Sequence, residues 1–313
     1  MTALICGSMA FDTIMVFEDQ FKNHILPDKV HILNVSFLVP TMRREFGGCA
    51  GNIAYNLNLL GGSGIPMSTV GEDFGPYADW MDQCGVSRQY VKTMTDCYTG
   101  QAYITTDQDG NQITAFHPGA MSFAHELHVP TDGSISIGIV SPDGRDGMIS
   151  HAEEFEAANI PFIFDPGQGL PMFDGDALLR FIDQATYLSV NDYEAQLMQE
   201  RTGLSLKEMA SRVEALIVTL GAEGSEIYHR GEKIQIPVAK VSEIADPTGC
   251  GDAYRSGLLY GLMHDLDWST IGRIAALMGA IKIEQPGTQN HHFEKDQFEV
   301  RFQKTFGQMI RLL

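Results

Sequence analysis

A short glycine-rich segment followed by an aspartate carries the strongest chemical signal in the sequence. Gly249, Cys250 and Gly251 precede Asp252, and a run of helical character covers residues 258–263. Two glycines around a small residue let consecutive backbone N–H groups point outward at a helix start, where they bind an anion without a basic side chain. Asp252 then lies in the first helical turn, where the helix dipole favours its ionised carboxylate. This arrangement suits a base that takes a proton from a hydroxyl group beside a bound phosphoryl group.

The same residues also fit a purely structural role. Glycines around a small residue are common in tight turns, and aspartate is a common helix-capping residue. Taken alone, the segment is better explained as a capped turn. A second glycine-rich segment alters that balance, because residues 47–52 read Gly-Gly-Cys-Ala-Gly-Asn and a further pair follows at Gly61 and Gly62.

Together the two segments resemble the paired signatures of the ribokinase-like (PfkB) family of carbohydrate and nucleoside kinases. The family's C-terminal signature is usually Asp-Thr-x-Gly-x-Gly-Asp, and here Pro247 stands where Thr is common, at a position where the family varies. The resemblance covers essentially the whole chain and is closest to the bacterial, actinobacterial-type adenosine kinases. It implies that Gly249, Cys250 and Gly251 form a backbone anion hole and that Asp252 is the catalytic base.

The resemblance also implies where the acceptor binds. Asp12 follows the first predicted strand, and a carboxylate there can accept two hydrogen bonds from the vicinal hydroxyls of a sugar. In the family this aspartate binds the ribose or sugar together with the residues matching Gly47, Gly48 and Asn52. Without the resemblance, a turn or capping role would be the better interpretation of Asp12.

A nucleoside differs from a free sugar by its flat, apolar base, which calls for aromatic walls. Phe37 and Phe116 are the candidates, because the stretches around them look like those of actinobacterial-type adenosine kinases. Ordinary packing is the alternative role for each ring, since aromatic residues are common in protein cores. Ser8 and Ser36 are candidates for further polar contacts with the acceptor.

Two segments resemble the family's nucleotide-binding elements. Asn191 and Glu194 match an Asn-x-x-Glu element that acts through water on magnesium and the ATP phosphates, and Mg²⁺ does keep several waters in proteins. Thr219, Gly221 and Gly224 match a strand end that contacts ATP. Asn and Glu at this spacing also begin ordinary helices, and the glycines also suit plain turns.

The resemblance further implies a potassium site at carbonyl oxygens near Asp246, Thr248 and the turn at residues 285–288. Spacing alone does not indicate this site. The sequence has no Walker A lysine motif, and its ten histidines show no zinc-ligand spacing. The expected cofactors are therefore ATP and Mg²⁺, with K⁺ as an implied activator.

The elements that position these residues follow from hydrophobic periodicity. Short apolar runs alternate with stretches of helical period, which predicts an α/β fold with a mainly parallel central sheet, the ribokinase-like three-layer arrangement. Because ligands bind beyond the carboxyl ends of parallel strands, the polar residues after each run should share one edge. The predicted strands are Ala3 to Cys6, Ile135 to Val140, Phe162 to Phe164, Tyr187 to Val190 and Leu216 to Leu220.

Residues 13–44 and 96–118 have a different pattern, in which β-branched and aromatic residues alternate with polar ones. They predict antiparallel strands outside the main sheet, forming a small β-sheet lid from two insertions. The α/β core would then comprise residues 1–12, 45–95 and 119–313. Phenylalanines at helical spacing predict a closing helix between Phe293 and Leu313.

Charge and cysteine content exclude several classes of protein. Twenty-one basic and forty acidic residues give a net charge of −19, which disfavours nucleic acid and anionic membranes as partners. The five cysteines are scattered without a CxxC pair, which argues against disulfides and zinc and favours a cytoplasmic location. The first residues lack the basic start of a signal peptide, and no apolar run approaches the length of a membrane span.

The most concrete expectation is an ATP-dependent kinase that converts adenosine to AMP at the ribose 5'-hydroxyl. A sugar kinase or a guanosine or inosine kinase of the same family is the nearest alternative. A non-catalytic nucleoside-binding protein is the alternative from a different class. Exposed strand edges in the lid favour a homodimer.

Overall fold

Strands and helices alternate along the computed structural model, which describes residues 1–25, 32 and 34–313. Its strands are β1 (Thr2–Cys6), β2 (Ala10–Val16), β3 (Thr41–Gly47), β4 (Ser63–Val70), β5 (Tyr90–Thr93), β6 (Gly100–Thr106), β7 (Gln112–His117), β8 (Ile137–Val140), β9 (Phe162–Phe164), β10 (Tyr187–Asn191), β11 (Ala215–Thr219), β12 (Ser225–His229) and β13 (Glu232–Ile236). Its α-helices are α1 (Cys49–Leu59), α2 (Gly75–Cys84), α3 (Arg145–Ala157), α4 (Gly175–Gln184), α5 (Asp192–Thr202), α6 (Leu206–Arg212), α7 (Cys250–Met263), α8 (Trp268–Ile283) and α9 (Lys295–Phe306).

A large, mostly parallel sheet forms the centre of the molecule. Within the described residues its strand order is β13-β12-β11-β10-β9-β8-β1-β4-β5, and its antiparallel pairs are β11 with β12 and β12 with β13. The inner strands β8 and β9 are buried at every residue, because helices cover both faces of a parallel sheet and leave no polar side for alternation. The predicted mainly parallel α/β sheet is therefore confirmed.

Helices cover both faces of this sheet and give it two separate hydrophobic cores. Successive residues of β1 point to opposite faces, so Ala3 and Ile5 belong to one core and Leu4 and Cys6 to the other. The first core packs against α1, α7, α8 and α9, and the second against α3, α4, α5 and α6. This layer–sheet–layer arrangement is the three-layer fold expected from the sequence.

A smaller sheet lies beside the core, with the order β3-β2-β6-β7. Its outer pairs, β2 with β3 and β6 with β7, are antiparallel as predicted. The prediction was wrong for the central pair, because β2 and β6 run parallel with Ala10 opposite Gly100. Both strands leave the core in the same direction, since each is the first strand of its own insertion.

Within the segment at residues 13–44, the alternating pattern of residues 32–39 predicts a strand, and no strand forms where the structure describes that stretch. Residues 34–40 are irregular, and β3 begins only at Thr41. The ring of Phe37 instead packs 4.8 Å from that of Phe17 and 5.0 Å from that of Phe21, measured between centroids. An alternating pattern thus produced an aromatic cluster rather than a strand. The rest of this part of the expected lid, residues 26–31 and 33, lies outside the described residues.

The predicted closing helix is present as α9. Phe298 and Phe302 are fully buried in the core, as their helical spacing predicted. The helix ends at Gly307, which has the left-handed φ of 70° that favours glycine. Among the helices of the described chain, none is long and apolar enough to cross a membrane.

Candidate active site

The two glycine-rich segments meet at the starts of α1 and α7. Asn52 in the first turn of α1 donates a hydrogen bond from Nδ2 to Oδ2 of Asp252 in the first turn of α7, at 2.8 Å. These residues are far apart in the sequence, so only the packing of α1 against α7 brings them together. The predicted base and one predicted acceptor-binding residue thus share a single site.

Glycine is required where each of these helices begins. Gly48 precedes α1 with a φ of 86°, and Gly249 precedes α7 with a φ of 79°, both in the left-handed region. A methyl group at Gly48 would lie 2.5 Å from the carbonyl oxygen of Ser8, so a side chain would also push β1 away from α1. At the start of α7 the backbone N–H of Cys250 donates to the carbonyl oxygen of Pro247 at 3.2 Å, whereas those of Gly249 and Gly251 have no backbone acceptor among the described residues and are the ones open to an anion.

The environment of Asp252 combines partial burial with nearby positive charge. Burial raises the pKa of Asp252, whereas the hydrogen bond from Asn52 and the charge of Arg255 lower it and limit the rise. A carboxylate in this balance is a stronger proton acceptor than an exposed aspartate, which suits a general base.

Arg255 forms a buried ion pair that the sequence did not reveal. Its Nη2 donates to Oδ1 of Asp165 at 2.6 Å, and both side chains are almost fully buried. Burial alone would lower the pKa of Arg255, but the charge of Asp165 raises it above its usual value. Because Asp165 follows β9, this pair ties the start of α7 to the carboxyl edge of the sheet.

Gln289 fixes the orientation of the Asn52 amide. Its Nε2 donates to Oδ1 of Asn52 at 3.0 Å and to the hydroxyl of Tyr77 at 2.6 Å, while its Oε1 accepts from Nε1 of Trp80 at 2.9 Å. Since Oδ1 of Asn52 is the acceptor here, Nδ2 must be the atom that faces Asp252. Gln289 is therefore a positioning residue for the contact between the two helices.

Asp12 lies within electrostatic range of Asp252, and its role in binding the acceptor stays a prediction. Its Oδ2 would be only 2.5 Å from a methyl group at Gly47, so the carboxylate rests against the backbone of the first glycine signature. Burial, together with the negative charges of Asp252 and Glu45, raises the pKa of Asp12 to about 6. Ser8 has a supporting role here, because its Oγ accepts from the backbone N–H of Cys49 at 3.2 Å.

The aromatic candidates differ in what they contact. Phe116 on β7 is 54% exposed and is aligned with Asp12, because Asp12 pairs with Ala102 and Ala102 pairs with Phe116. Residues paired directly across a sheet share one face, so the ring stands on the face of Asp12 with only a methyl group between them. Phe37 packs against Phe17 and Phe21, which follow β2 in the sequence, and Ser36 beside it is exposed.

The predicted nucleotide residues lie along the carboxyl edge of the large sheet. Asn191 ends β10 and is in register with Thr219, which ends β11. Asn191 Oδ1 accepts from the backbone of Glu194 at 2.7 Å, and Glu194 Oε2 accepts from the backbone of Asn191 at 2.8 Å. The two side chains thus form the capping box of α5, the structural alternative recognised in the sequence.

The two glycines after β11 have different surroundings. A methyl group at Gly224 would lie 2.2 Å from the carbonyl oxygen of Ile236, so Gly224 is needed for packing. At Gly221 no described atom lies within 4 Å of such a group. Open backbone at a strand end is where a nucleotide can approach closely, so Gly221 is the better-placed ATP contact of the two.

The oxygens expected to face potassium already have hydrogen-bond donors from this chain. The carbonyl oxygen of Asp246 accepts from Nζ of Lys282 at 2.6 Å. The carboxylate of Asp246 accepts from the backbone N–H groups of Thr248 and Gly287, both at 2.9 Å. The residues present therefore do not fit a potassium ion bound to Asp246.

Some of these residues left a recognisable signal in the sequence and others did not. Arg255 lies one helical turn after Asp252, and Asp165 follows a predicted strand, so both stand at positions that face the predicted site. Lys282 is a single charge between two isoleucines in an otherwise apolar helix end, which marks it as a residue with a special role. Gln289 belongs to no motif, and its position depends on tertiary packing alone.

Comparison with known proteins identifies the class of protein that carries this site. The family model described as "pfkB family carbohydrate kinase" matches residues 15–295. The chain therefore belongs to the pfkB family of carbohydrate kinases and is a phosphotransferase with a hydroxyl acceptor.

Several members of this family that are similar to the chain are nucleoside kinases. The nucleoside kinase of Methanocaldococcus jannaschii is 32% identical over 87% of this chain and 90% of its own length. The structure of the Burkholderia thailandensis nucleoside kinase in complex with inosine is 54% identical, with a TM-score of 0.90, and the match covers 99% of this chain and 100% of that one. A second structure of that enzyme, in complex with ADP-inosine, is 56% identical over 99% of this chain and 98% of its own, with a TM-score of 0.88. The narrower resemblance to adenosine kinases stays a prediction.

Proposed function

We propose that this protein transfers the γ-phosphoryl group of ATP to the 5'-hydroxyl of a purine nucleoside. The observation that carries the proposal is the contact between Asn52 and Asp252, which joins the acceptor-binding and anion-binding glycine segments in one site. The relatives that match along nearly the whole chain are nucleoside kinases, which supports a nucleoside over a free sugar.

The acceptor would lie across the face of the small sheet. The ribose hydroxyls would bind the Asp12 carboxylate, and the base would lie above Ala102 and against the ring of Phe116. Adjacent strands are about 4.8 Å apart, so two strand spacings separate Asp12 from Phe116 by about 10 Å, a distance that suits a ribose and a base. The alanine between them leaves room that a larger side chain would fill.

Phosphoryl transfer would then follow from the junction of α1 and α7. Asp252 accepts the proton of the nucleoside 5'-hydroxyl while the oxygen of that hydroxyl forms a bond to the γ-phosphorus. The bond between the γ-phosphorus and the bridging oxygen breaks, and ADP leaves with that oxygen. The N–H groups of Gly249 and Gly251 are the donors we assign to the negative charge on the transferred group, and that of Cys250 would join them on leaving the Pro247 carbonyl. Closure of the small sheet over the acceptor would exclude water and so limit wasteful hydrolysis of ATP.

Asn191, Glu194, Thr219 and Gly221 are the residues we assign to ATP and magnesium. The charge of Glu194 acts on both Asp165 and Arg255, which places this carboxylate within electrostatic range of the catalytic junction. Among the described residues, no three acidic, His or Cys side chains are grouped as a direct metal site. Magnesium bound to the phosphates would neutralise their charge, and Glu194 would reach it through water.

We infer that inosine is accepted, because it is bound by the kinase that matches this chain at 54% identity. Adenosine, the acceptor favoured by the sequence, is the competing purine. Neither the Asp12 carboxylate nor the Phe116 ring separates the two bases, since both contacts are common to all purine nucleosides. Relative kcat/KM values for inosine, guanosine and adenosine will rank them.

Two lesser proposals concern the setting of the enzyme. The outer strands β3 and β7 expose their edges, and we propose that two copies pair through the small sheet. Sedimentation of the chain alone, and of a variant with Thr114→Pro on β7, will test this pairing. We also propose a cytoplasmic location, which the five free cysteines support.

The test of the proposed activity is a panel assay with Mg-ATP and inosine, guanosine, adenosine, ribose and fructose. We expect nucleoside 5'-monophosphate with purine nucleosides and little product with ribose or fructose. Preference for a free sugar would contradict the nucleoside site and retain the kinase. Nucleoside binding by calorimetry without any product would favour the non-catalytic alternative.

A further inference from the structure

A buried lysine lies directly behind the loop that forms the anion hole. Lys282 is fully buried near the end of α8, although lysine is rarely buried unless it is paired. Its Nζ donates to the carbonyl oxygen of Asp246 at 2.6 Å and to that of Gln285 at 3.3 Å. These carbonyls lie in the two segments where the family resemblance implied a potassium ion.

The contacts of this ammonium group resemble those of a bound monovalent cation. A potassium ion in a protein is held by carbonyl oxygens, and an ammonium group has the same charge and donates to the same oxygens. Burial lowers the pKa of Lys282, and the negative charge of the Asp246 carboxylate opposes that shift. The lysine therefore provides the charge and joins the oxygens that a mobile ion would otherwise join.

The ammonium group of Lys282 lies close to the anion-hole loop, both along the chain and through packing contacts. Asp246 is three residues before Gly249, so the hydrogen bond from Lys282 anchors the start of the anion-hole loop. On the other side, Gly249 lies against Thr288, and a methyl group at Gly249 would be 3.0 Å from Cγ2 of Thr288. The positive charge of Lys282 also reaches Asp252, whose pKa it lowers as a minor contribution after burial, Asn52 and Arg255.

We propose that the ammonium group of Lys282 takes the place of a monovalent cation behind the anion hole, so that this kinase works without potassium. The proposal rests on the proposed phosphotransferase activity. It reverses the expectation drawn from the family resemblance and makes Lys282 a positioning residue that acts through the loop at residues 246–249.

The first test uses the unmodified protein in potassium, sodium and tetramethylammonium chloride at equal ionic strength, since ionic strength alone alters charge interactions. We expect kcat and KM for ATP to agree within about twofold in the three salts, because no site for a mobile ion contributes to the loop. Stimulation by potassium of about tenfold or more would overturn the proposal. Absence of activity in every salt would contradict the proposed function instead.

Thermal unfolding without substrates tests the potassium proposal independently of the proposed phosphotransferase activity. A protein that binds potassium in the folded state alone gains stability as potassium is added. We expect the same Tm in potassium and sodium chloride at equal ionic strength. A Tm that rises with potassium alone would overturn the proposal even for a protein that lacked activity.

The second test removes the charge with Lys282→Met, which keeps the length and apolar stem of the side chain. We expect kcat to fall by about tenfold to a hundredfold in sodium chloride and to recover partly in potassium or ammonium chloride, because an ion can then occupy the vacated position. Full activity in sodium chloride would show that the charge is not needed and would overturn the proposal. Lys295→Met is the matched control, because exposed Lys295 also donates to a backbone oxygen, that of Leu313 at 2.7 Å, and not to the loop at residues 246–249.

Discussion

The catalytic junction and the face of the small sheet are built in opposite ways. At the junction, Asn52, Gln289 and Arg255 are buried, and each has a hydrogen-bond partner that fixes its position. On the small sheet, every residue of β7 is exposed, and the ring of Phe116 stands in the open. The position of Asp252 is therefore fixed by the protein itself, whereas the face that we propose for the acceptor carries exposed side chains that a bound nucleoside would cover.

This difference indicates which region should determine kcat and which should determine the affinity for the nucleoside. Fixed, buried contacts cost nothing to organise during the reaction and so favour the transition state. Exposed aromatic surface gains free energy only when a ligand covers it. Substitutions at the junction should therefore alter kcat, and substitutions on the small sheet should alter nucleoside affinity.

The largest effect is expected for Asp252→Asn. This change keeps the shape of the side chain and an acceptor oxygen for Asn52 but removes the base, so kcat should fall by about 10²–10⁴-fold. Nucleoside and ATP affinity and the Tm should stay close to those of the unmodified protein. Near-normal turnover at saturating substrates would refute the role of Asp252 and with it the contrast between the two regions.

A smaller loss is expected for Gln289→Met, which frees the amide of Asn52 to turn away from Asp252. We expect kcat to fall by about tenfold to a hundredfold, since small misplacements of catalytic groups are costly. The loss of partners for Tyr77 and Trp80 should also lower the free energy of unfolding by about 1–3 kcal/mol.

Trp80→Phe provides the control for that change. It removes the hydrogen bond on the opposite side of Gln289 and leaves the contact with Asn52 in place. Stability should fall while kcat stays within about threefold of normal, because the amide of Asn52 keeps its partner. Equal losses of kcat in both variants would mean that Gln289 acts on stability alone.

The catalytic base Asp252 was easier to predict from the sequence than the hydrogen-bond network that fixes its position. The glycines around Cys250 and the position of Asp252 follow from local geometry, which a short segment specifies. Gln289 contacts Asn52 across a long stretch of chain, and no local pattern encodes that contact. Lys282 was visible only as a charge in an apolar helix, and its partners at Asp246 and Gln285 depend on how three segments pack.

In the fold, too, locally encoded features were predicted and contacts between distant segments were not. The inner strands of the large sheet were predicted because continuous apolar runs between glycines and aspartates identify buried parallel strands. A strand was wrongly expected at residues 32–39, where the described residues 34–39 are irregular, because alternation alone does not separate a sheet face from the aromatic cluster of Phe17, Phe21 and Phe37. Pairing of β2 with β6 joins two distant insertions, so its parallel direction had no sequence signal.

The pH dependence of nucleoside binding should report Asp12 rather than Asp252. With a pKa of about 6, Asp12 is mainly ionised at pH 7 and mainly protonated at pH 5. The protonated form loses acceptor capacity for the ribose hydroxyls, so the Kd for inosine should rise by about tenfold from pH 7 to pH 5. Calorimetry without ATP measures this change, and in Asp12→Asn the Kd should be weak and independent of pH over that range.

The smallest effect is expected for Phe116→Ala, which tests the open face directly. Loss of an aromatic wall should raise the Kd for inosine by about three- to tenfold, since such a contact contributes about 0.5–1.5 kcal/mol, and should leave kcat nearly unchanged. Ile113→Ala is the matched control, because Ile113 is similarly exposed on β7 but three residues away and so on the opposite face. A loss of kcat in Phe116→Ala without a change in Kd would mean that the small sheet helps to assemble the catalytic site, and the separation of affinity from rate would then fail.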